Sequence, residues 1–222
     1  LLLLLALVAV ALVQSFPRRA VLGPVLSDVV TALLLVGVFR VVFERRRERL
    51  AAVVALAAAL AAMLAHYALA GWAEHALRLA FHGLAALFLA LAVAAILANL
   101  FRQKSIRLDE VLGTVCGYLL AAAAWSNLYC FVEALAPGSF AVSSSLEHDA
   151  ASWHGRIALF DYFSLVTLTT MGYGDVTPVR PPATALAALE AVFGQFYIAV
   201  VVAELVGARL AQGAGSRRDG GD

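Results

Sequence analysis

Apolar residues gather along this chain into six long runs: Leu1 to Phe16, Val25 to Phe43, Leu50 to Ala70, Ala80 to Phe101, Val111 to Leu135 and Ala183 to Leu210. A helix that crosses a bilayer needs ~20 mostly apolar residues, within a range of about 17 to 25, so five of the runs reach spanning length. The first is shorter and begins without an initiator methionine. It reads as a helix whose start precedes Leu1, with a signal peptide as the rival reading of so short an apolar run. The pattern predicts an all-α integral membrane protein with six transmembrane helices. One segment between the fifth and sixth runs departs from it.

That segment reads Asp161-Tyr-Phe-Ser-Leu-Val-Thr-Leu-Thr-Thr-Met-Gly-Tyr-Gly-Asp175-Val-Thr-Pro178. Phe160 to Thr170 is apolar, hydroxyl-rich and of helical length; Pro178, Pro181 and Pro182 follow before the last apolar run. Two glycines alternating with Met171 and Tyr173 permit backbone conformations that a side chain forbids, so that successive carbonyls can face one axis. Such a row of carbonyls replaces the hydration shell of a cation. Gly-Tyr-Gly alone is common in turns. A short helix, a glycine-containing strand and an outer loop leading into a membrane helix, however, are what a re-entrant loop requires, because irregular backbone survives at membrane depth only where it lines a cavity or is buried in protein.

The segment resembles the selectivity filter of the tetrameric potassium channel family, whose common form is Thr-Val-Gly-Tyr-Gly-Asp; Met171 replaces the valine. The resemblance implies six transmembrane helices plus a re-entrant pore helix and selectivity filter. It implies potassium ions at the carbonyls of Thr170, Met171, Gly172 and Tyr173, with the Thr170 hydroxyl and Gly174 completing the ion-binding run. Thr169, Asp175 and Tyr162 are expected to support the filter. Some relatives place an acidic partner for the aspartate four residues before Thr170, but Val166 stands there, so Tyr162, Trp153 or a neighbouring Tyr173 is expected to bond Asp175 instead. No cofactor is implied beyond the ions.

Composition agrees with membrane residence. Of 222 residues 63% are hydrophobic and 14% charged, and mean hydropathy is +0.90, against about half apolar and a quarter charged in soluble domains. The net charge of +1 says nothing of nucleic acid; its distribution carries the information. With the loop from Ala136 to Pro182 outside and both termini cytoplasmic, eleven Lys and Arg lie inside, among them the Glu44-Arg-Arg-Arg-Glu-Arg49 cluster, against five outside (Arg18, Arg19, Arg78, Arg156, Arg180). That is the positive-inside bias of a multi-pass protein in a plasma (inner) membrane, and the cluster is expected to touch lipid phosphates. Cys116 and Cys130 stand 14 residues apart in one predicted helix, ~21 Å along its axis, too far for a disulfide.

The fourth run, Ala80 to Phe101, contains no Arg or Lys; Arg78 and Arg102 bracket it. A voltage sensor needs several charges in the field, so the chain resembles bacterial six-helix, non-voltage-sensing potassium channels. The expected division is 1–101, four helices of unassigned role; 102–211, the pore module; and 212–222, a disordered cytoplasmic tail with no ligand-binding domain attached. Asp28, His66, His82 and Asn99 are the buried polar groups expected in the first four helices, with Asp28 near Arg18 and Arg19 and both histidines near helix ends. Trp125 and Tyr129 are expected in an interfacial aromatic belt, followed by an irregular polar turret containing Glu147 and Asp149. In the last run, Gly194 lies 24 residues after Thr170, where the family carries a gating hinge; close helix packing is the alternative. Glu204 is expected at the inner mouth, facing the lumen or pairing with Arg209.

The reading is a homotetramer passing potassium ions through one pore. A weakly selective cation channel is disfavoured by Tyr173, where that class has an acidic residue, and a non-conducting membrane sensor or scaffold is the alternative of another kind. No Ser-His-Asp set, metal cluster or phosphate loop points to an enzyme.

Overall fold

The computed structural model describes residues 31–33, 35–40, 46–65, 71–101 and 108–218. Its elements in chain order are α1 (Thr31–Arg40), α2 (Arg46–Ala65), α3 (Trp72–Leu100), α4 (Leu108–Leu135), β1 (Phe140–Val142), α5 (Glu147–Ala150), α6 (Trp153–Leu168), β2 (Val176–Pro178) and α7 (Pro181–Arg218). Among the described residues three segments are long and apolar enough to cross a membrane: Trp72–Leu100, Val111–Leu135 and Pro181–Gly207. The predicted run Leu1 to Phe16, Asp28 with Arg18 and Arg19, Glu44, Arg45, His66 and Arg102 to Arg107 lie outside the described residues.

Two apolar clusters organise the packing. In the first, Phe88, Leu89, Ala92 and Val93 of α3 meet Cys116, Leu120 and Ala121 of α4 and Tyr197 and Val201 of α7, joined by Leu35, Val38, Ala52 and Leu56. In the second, Tyr129, Cys130 and Val132 of α4 enclose Phe160 and Phe163 of α6, together with Phe140, Val176 and Ala183. Its rings sit close, with Phe140 to Phe160 at 4.8 Å and Tyr129 to Phe163 at 5.1 Å between centroids, the spacing of favourable aromatic pairs. This second cluster fixes α6 against the larger helices. Both cysteines are free and buried.

Six expectations are revised. α3 begins at Trp72 rather than at Ala80, because Glu74 and Arg78 pair one turn apart at 2.6 Å and let the helix continue through its charged turns. Arg78 is thus inside the helix, and His82 sits nearly three turns in, 2% exposed. The turret is partly regular: β1 pairs antiparallel with β2, Ala141 opposite Thr177, and α5 follows. α7 runs to Arg218, since the alanines and arginines beyond residue 207 favour helix, so most of the expected tail is helical. Tyr129, assigned to an interfacial belt, is fully buried, whereas Asn99 is exposed.

Candidate functional site

α6 starts where the Ser152 hydroxyl accepts the Gly155 N–H at 3.0 Å, an N-cap. It ends at Leu168, with Thr169 still right-handed at φ −84°. The backbone then alternates in hand: φ is +59° at Thr170, +56° at Gly172 and +77° at Gly174, while Met171 and Tyr173 keep negative values. In a strand successive carbonyls point to opposite sides; alternation of hand turns successive peptides to one side. Glycine adopts the left-handed values without penalty, whereas a β-branched threonine there is a strained outlier. Thr170 is held by its N–H to the Thr167 carbonyl at 2.9 Å, and the Val166 carbonyl accepts from Met171 at 2.9 Å and Gly172 at 3.4 Å. Those N–H groups turn into the protein. Among the described residues no carbonyl from Thr170 to Gly174 accepts a hydrogen bond, and all five residues are exposed.

The outer end of this loop is fastened at Asp175. Tyr162 donates its hydroxyl to Oδ2 at 2.6 Å, the Val176 N–H reaches Oδ1 at 3.0 Å, and the Ser143 N–H meets the Asp175 carbonyl at 2.8 Å. A phenol ordinarily titrates near 10, so Tyr162 is a donor at neutral pH. Its ring also lies nearly parallel to that of Tyr173, 13° apart with centroids 6.5 Å apart. Trp153 stands elsewhere, beneath Arg78, whose guanidinium carbon is 4.5 Å from its ring centre. Val166 is buried, so no carboxyl backs the loop at that position.

The inner end is fastened at Leu168. The Tyr118 hydroxyl donates to its carbonyl at 3.0 Å, Thr169 Oγ1 donates to the Leu165 carbonyl at 2.6 Å, and Gln195 Nε2 lies 3.4 Å from Thr170 Oγ1. Gly194 faces the same carbonyl so closely that a Cβ there would collide with the Leu168 oxygen. Its place in the fold is therefore a contact of helix backbone with helix backbone. Glu204 is half-buried further along α7, the side chain of its suggested partner Arg209 lies outside the described residues, and Glu147 is exposed.

Behind the loop are polar groups to which the sequence assigned no role. Glu190 of α7 is fully buried and meets Tyr129 of α4 at Oε2 and Ser164 of α6 at Oε1; Ser164 Oγ also lies 2.8 Å from the Ala122 carbonyl. Ser126 donates to Asp161 Oδ1 at 2.5 Å. At the turret, Glu133 is 1% exposed, pairs with Arg156, and accepts the Gly138 and Ser139 N–H groups at 3.0 and 2.9 Å. A buried carboxylate survives only with such partners. The available signal was a carboxyl within each of two apolar runs, without a partner legible nearby in sequence.

Residues 115–209 match the sequence model of a family described as ion channel. The match begins in α4 and takes in the turret, α6, the exposed loop and most of α7. No curated protein and no solved structure matches the chain.

Proposed function

We propose that the chain is one subunit of a potassium-selective channel, in which four copies surround a single pore and ions pass down their gradient. The observation that carries this reading is the exposed, hand-alternating run Thr170 to Gly174, with the N–H groups of Thr170, Met171 and Gly172 bonded back to α6 and, among the described residues, no hydrogen bond to its carbonyls. One such strand per chain requires four chains to close a ring of carbonyls. The negative end of the α6 dipole, at Leu168 and Thr169, meets the start of the run and favours a cation there. Thr170, Met171, Gly172, Tyr173 and Gly174 hold the ions, Thr169, Tyr162 and Asp175 brace them, and the half-buried Glu204 lies toward the inner mouth. Gly194 serves close packing against Leu168 and, in this reading, any bend of α7 pivots there.

The protein is multi-pass in a bacterial inner membrane, with six spanning helices, both termini cytoplasmic and lipid as its other partner. Arg78 is the one Lys or Arg within α3, and it is held by Glu74 and Trp153. That leaves too little mobile charge for steep voltage gating.

The test is flux from liposomes containing the purified chain, with potassium or sodium as the permeant cation and the potential clamped at either sign. Potassium is expected to cross far faster than sodium, at rates similar at both potentials. Equal fluxes would leave a weakly selective pore, steep voltage dependence would refute the fixed Arg78, and no flux above empty vesicles would leave a sensor or scaffold.

A further inference from the structure

Three contacts converge on Ser164 and Glu190, and counting their hydrogens bears on the state of the carboxyl. Tyr129 Oη meets Glu190 Oε2, Glu190 Oε1 meets Ser164 Oγ, and Ser164 Oγ meets the Ala122 carbonyl oxygen. Each contact needs one hydrogen between its two oxygens. A hydroxyl supplies one hydrogen only, and a carbonyl supplies none. Ser164 must donate to Ala122, whose carbonyl can only accept, and Tyr129 donates to Oε2. A full bond between Oε1 and Ser164 then takes its hydrogen from the carboxyl; otherwise Ser164 shares its one hydrogen between Oε1 and the Ala122 carbonyl in two weaker three-centre contacts. Burial favours the protonated carboxyl: Glu190 is 0% exposed inside a span of α7, with no Lys or Arg among its hydrogen-bond partners, where an ionised carboxylate is costly.

We infer that Glu190 carries a proton and acts as the positioning residue that clamps the pore helix α6 behind the filter. The chain of donors runs from Tyr129 to Glu190, from Glu190 to Ser164 and from Ser164 back to Ala122. It begins and ends on α4 and passes through α7 and α6, so all three helices share one closed polar tie. Ser164 lies one turn of α6 before the end that leads into Thr169 and Thr170. A shift of α6 at Ser164 is thereby a shift of the loop's inner end, which Tyr118 and Gly194 hold at Leu168. The side of α6 at Val166 has no carboxyl, and this tie supplies a polar brace from the opposite helix. The consequence for ion selection rests on the channel reading above; the proton assignment does not.

Glutamine at this position distinguishes a proton-bearing carboxyl from an ionised one, because its amide offers one donor to Ser164 and one acceptor to Tyr129. Glu190→Gln is expected to keep the potassium-over-sodium permeability ratio within about twofold of the parent, the scale of a conserved hydrogen-bond pattern. Glu190→Ala and the milder Ser164→Ala are expected to lower it by about tenfold, the worth of one lost buried bond. Infrared difference spectra of the full-length protein should contain a protonated-carboxyl stretch that Glu190→Gln removes, and this readout needs neither flux nor an intact filter. Loss of selectivity in Glu190→Gln equal to that in Glu190→Ala, or absence of the carboxyl band from the parent, overturns the proton. Unchanged selectivity in Ser164→Ala overturns the clamp. Absence of all flux from a parent that keeps the band counts against the channel reading instead.

Discussion

Gly194 is held by a single missing atom. A mid-helix glycine normally costs about 0.5 to 1 kcal/mol relative to alanine, so Gly194→Ala ought to stabilise α7 if the position merely awaited a better helix former. The Leu168 carbonyl forbids this, because a Cβ would strike backbone oxygen rather than a movable side chain. Overpacking of that kind costs about 1 to 3 kcal/mol. Gly194→Ala is therefore expected to lower the melting temperature of the detergent-solubilised protein, and a rise would show that α7 and α6 separate at little cost. The same contact means that loss of opening in this variant does not by itself identify a hinge. A methionine at 171 has a more flexible side chain than β-branched valine, yet the structure attaches the loop through backbone and through Tyr162, Thr169 and Asp175, none of which depends on that side chain.

Two elements hold the outer end of the loop by different means. β1 and β2 pair residues 140–142 with 176–178, while Glu133 at the end of α4 gathers the Gly138 and Ser139 N–H groups and Arg156 of α6. Removing the carboxylate strands the buried Ser139 N–H and the part-buried Gly138 N–H, while the half-exposed Arg156 keeps its Nε bond to the Ala150 carbonyl; removing the guanidinium leaves a carboxylate that keeps two N–H donors. Each stranded buried donor costs about 1 to 3 kcal/mol. Glu133→Ala is expected to cost about twice as much stability as Arg156→Ala in thermal unfolding, and equal losses would mean that the ion pair rather than the backbone bonds dominates.

The glycine spacing and the apolar runs made α4, the later half of α6, the exposed loop and α7 legible in the sequence, because backbone freedom and helical length are local properties; α6 itself starts at Trp153 rather than Phe160 and ends at Leu168 rather than Thr170. The turret strands were not, since three-residue β1 becomes a strand only by meeting β2 across 33 intervening residues, 143 to 175. Glu190 and Glu133 were unreadable for a related reason: their partners stand 61 and 23 residues away, at Tyr129 and Arg156. The start of α3 was misplaced because an ion pair between Glu74 and Arg78 makes charged residues compatible with a helix that hydropathy alone would cut short.

For the whole molecule, α3 meets the following helices along the first apolar cluster and also at a polar seam around His82. Asn127 Nδ2 donates to the Ala123 carbonyl, so its Oδ1 faces His82 and Nδ1 of that histidine carries the hydrogen at 3.0 Å. The His82 ring then packs on Trp153 at 5.7 Å, beside Arg78. A cavity of about 90 Å³ opens here between Met63, Phe81, Trp153 and Ile157. This seam places α3 against the start of α6, while Leu168 and Asp175 fasten the far end of α6 and the loop beyond it. Apolar residues of α7, among them Leu189, Val192 and Phe196, are exposed on the single chain.

In the channel proposed above, four loops form one row of cation sites. This arrangement is tested most directly by determining the structure of the assembled protein in potassium and again in thallium, whose anomalous scattering marks monovalent cation sites. The expected result is a four-fold axis with cation density at the carbonyls of Thr170, Met171, Gly172 and Tyr173. An assembly without that axis, or an axis empty of ions at these residues in high potassium, would contradict it.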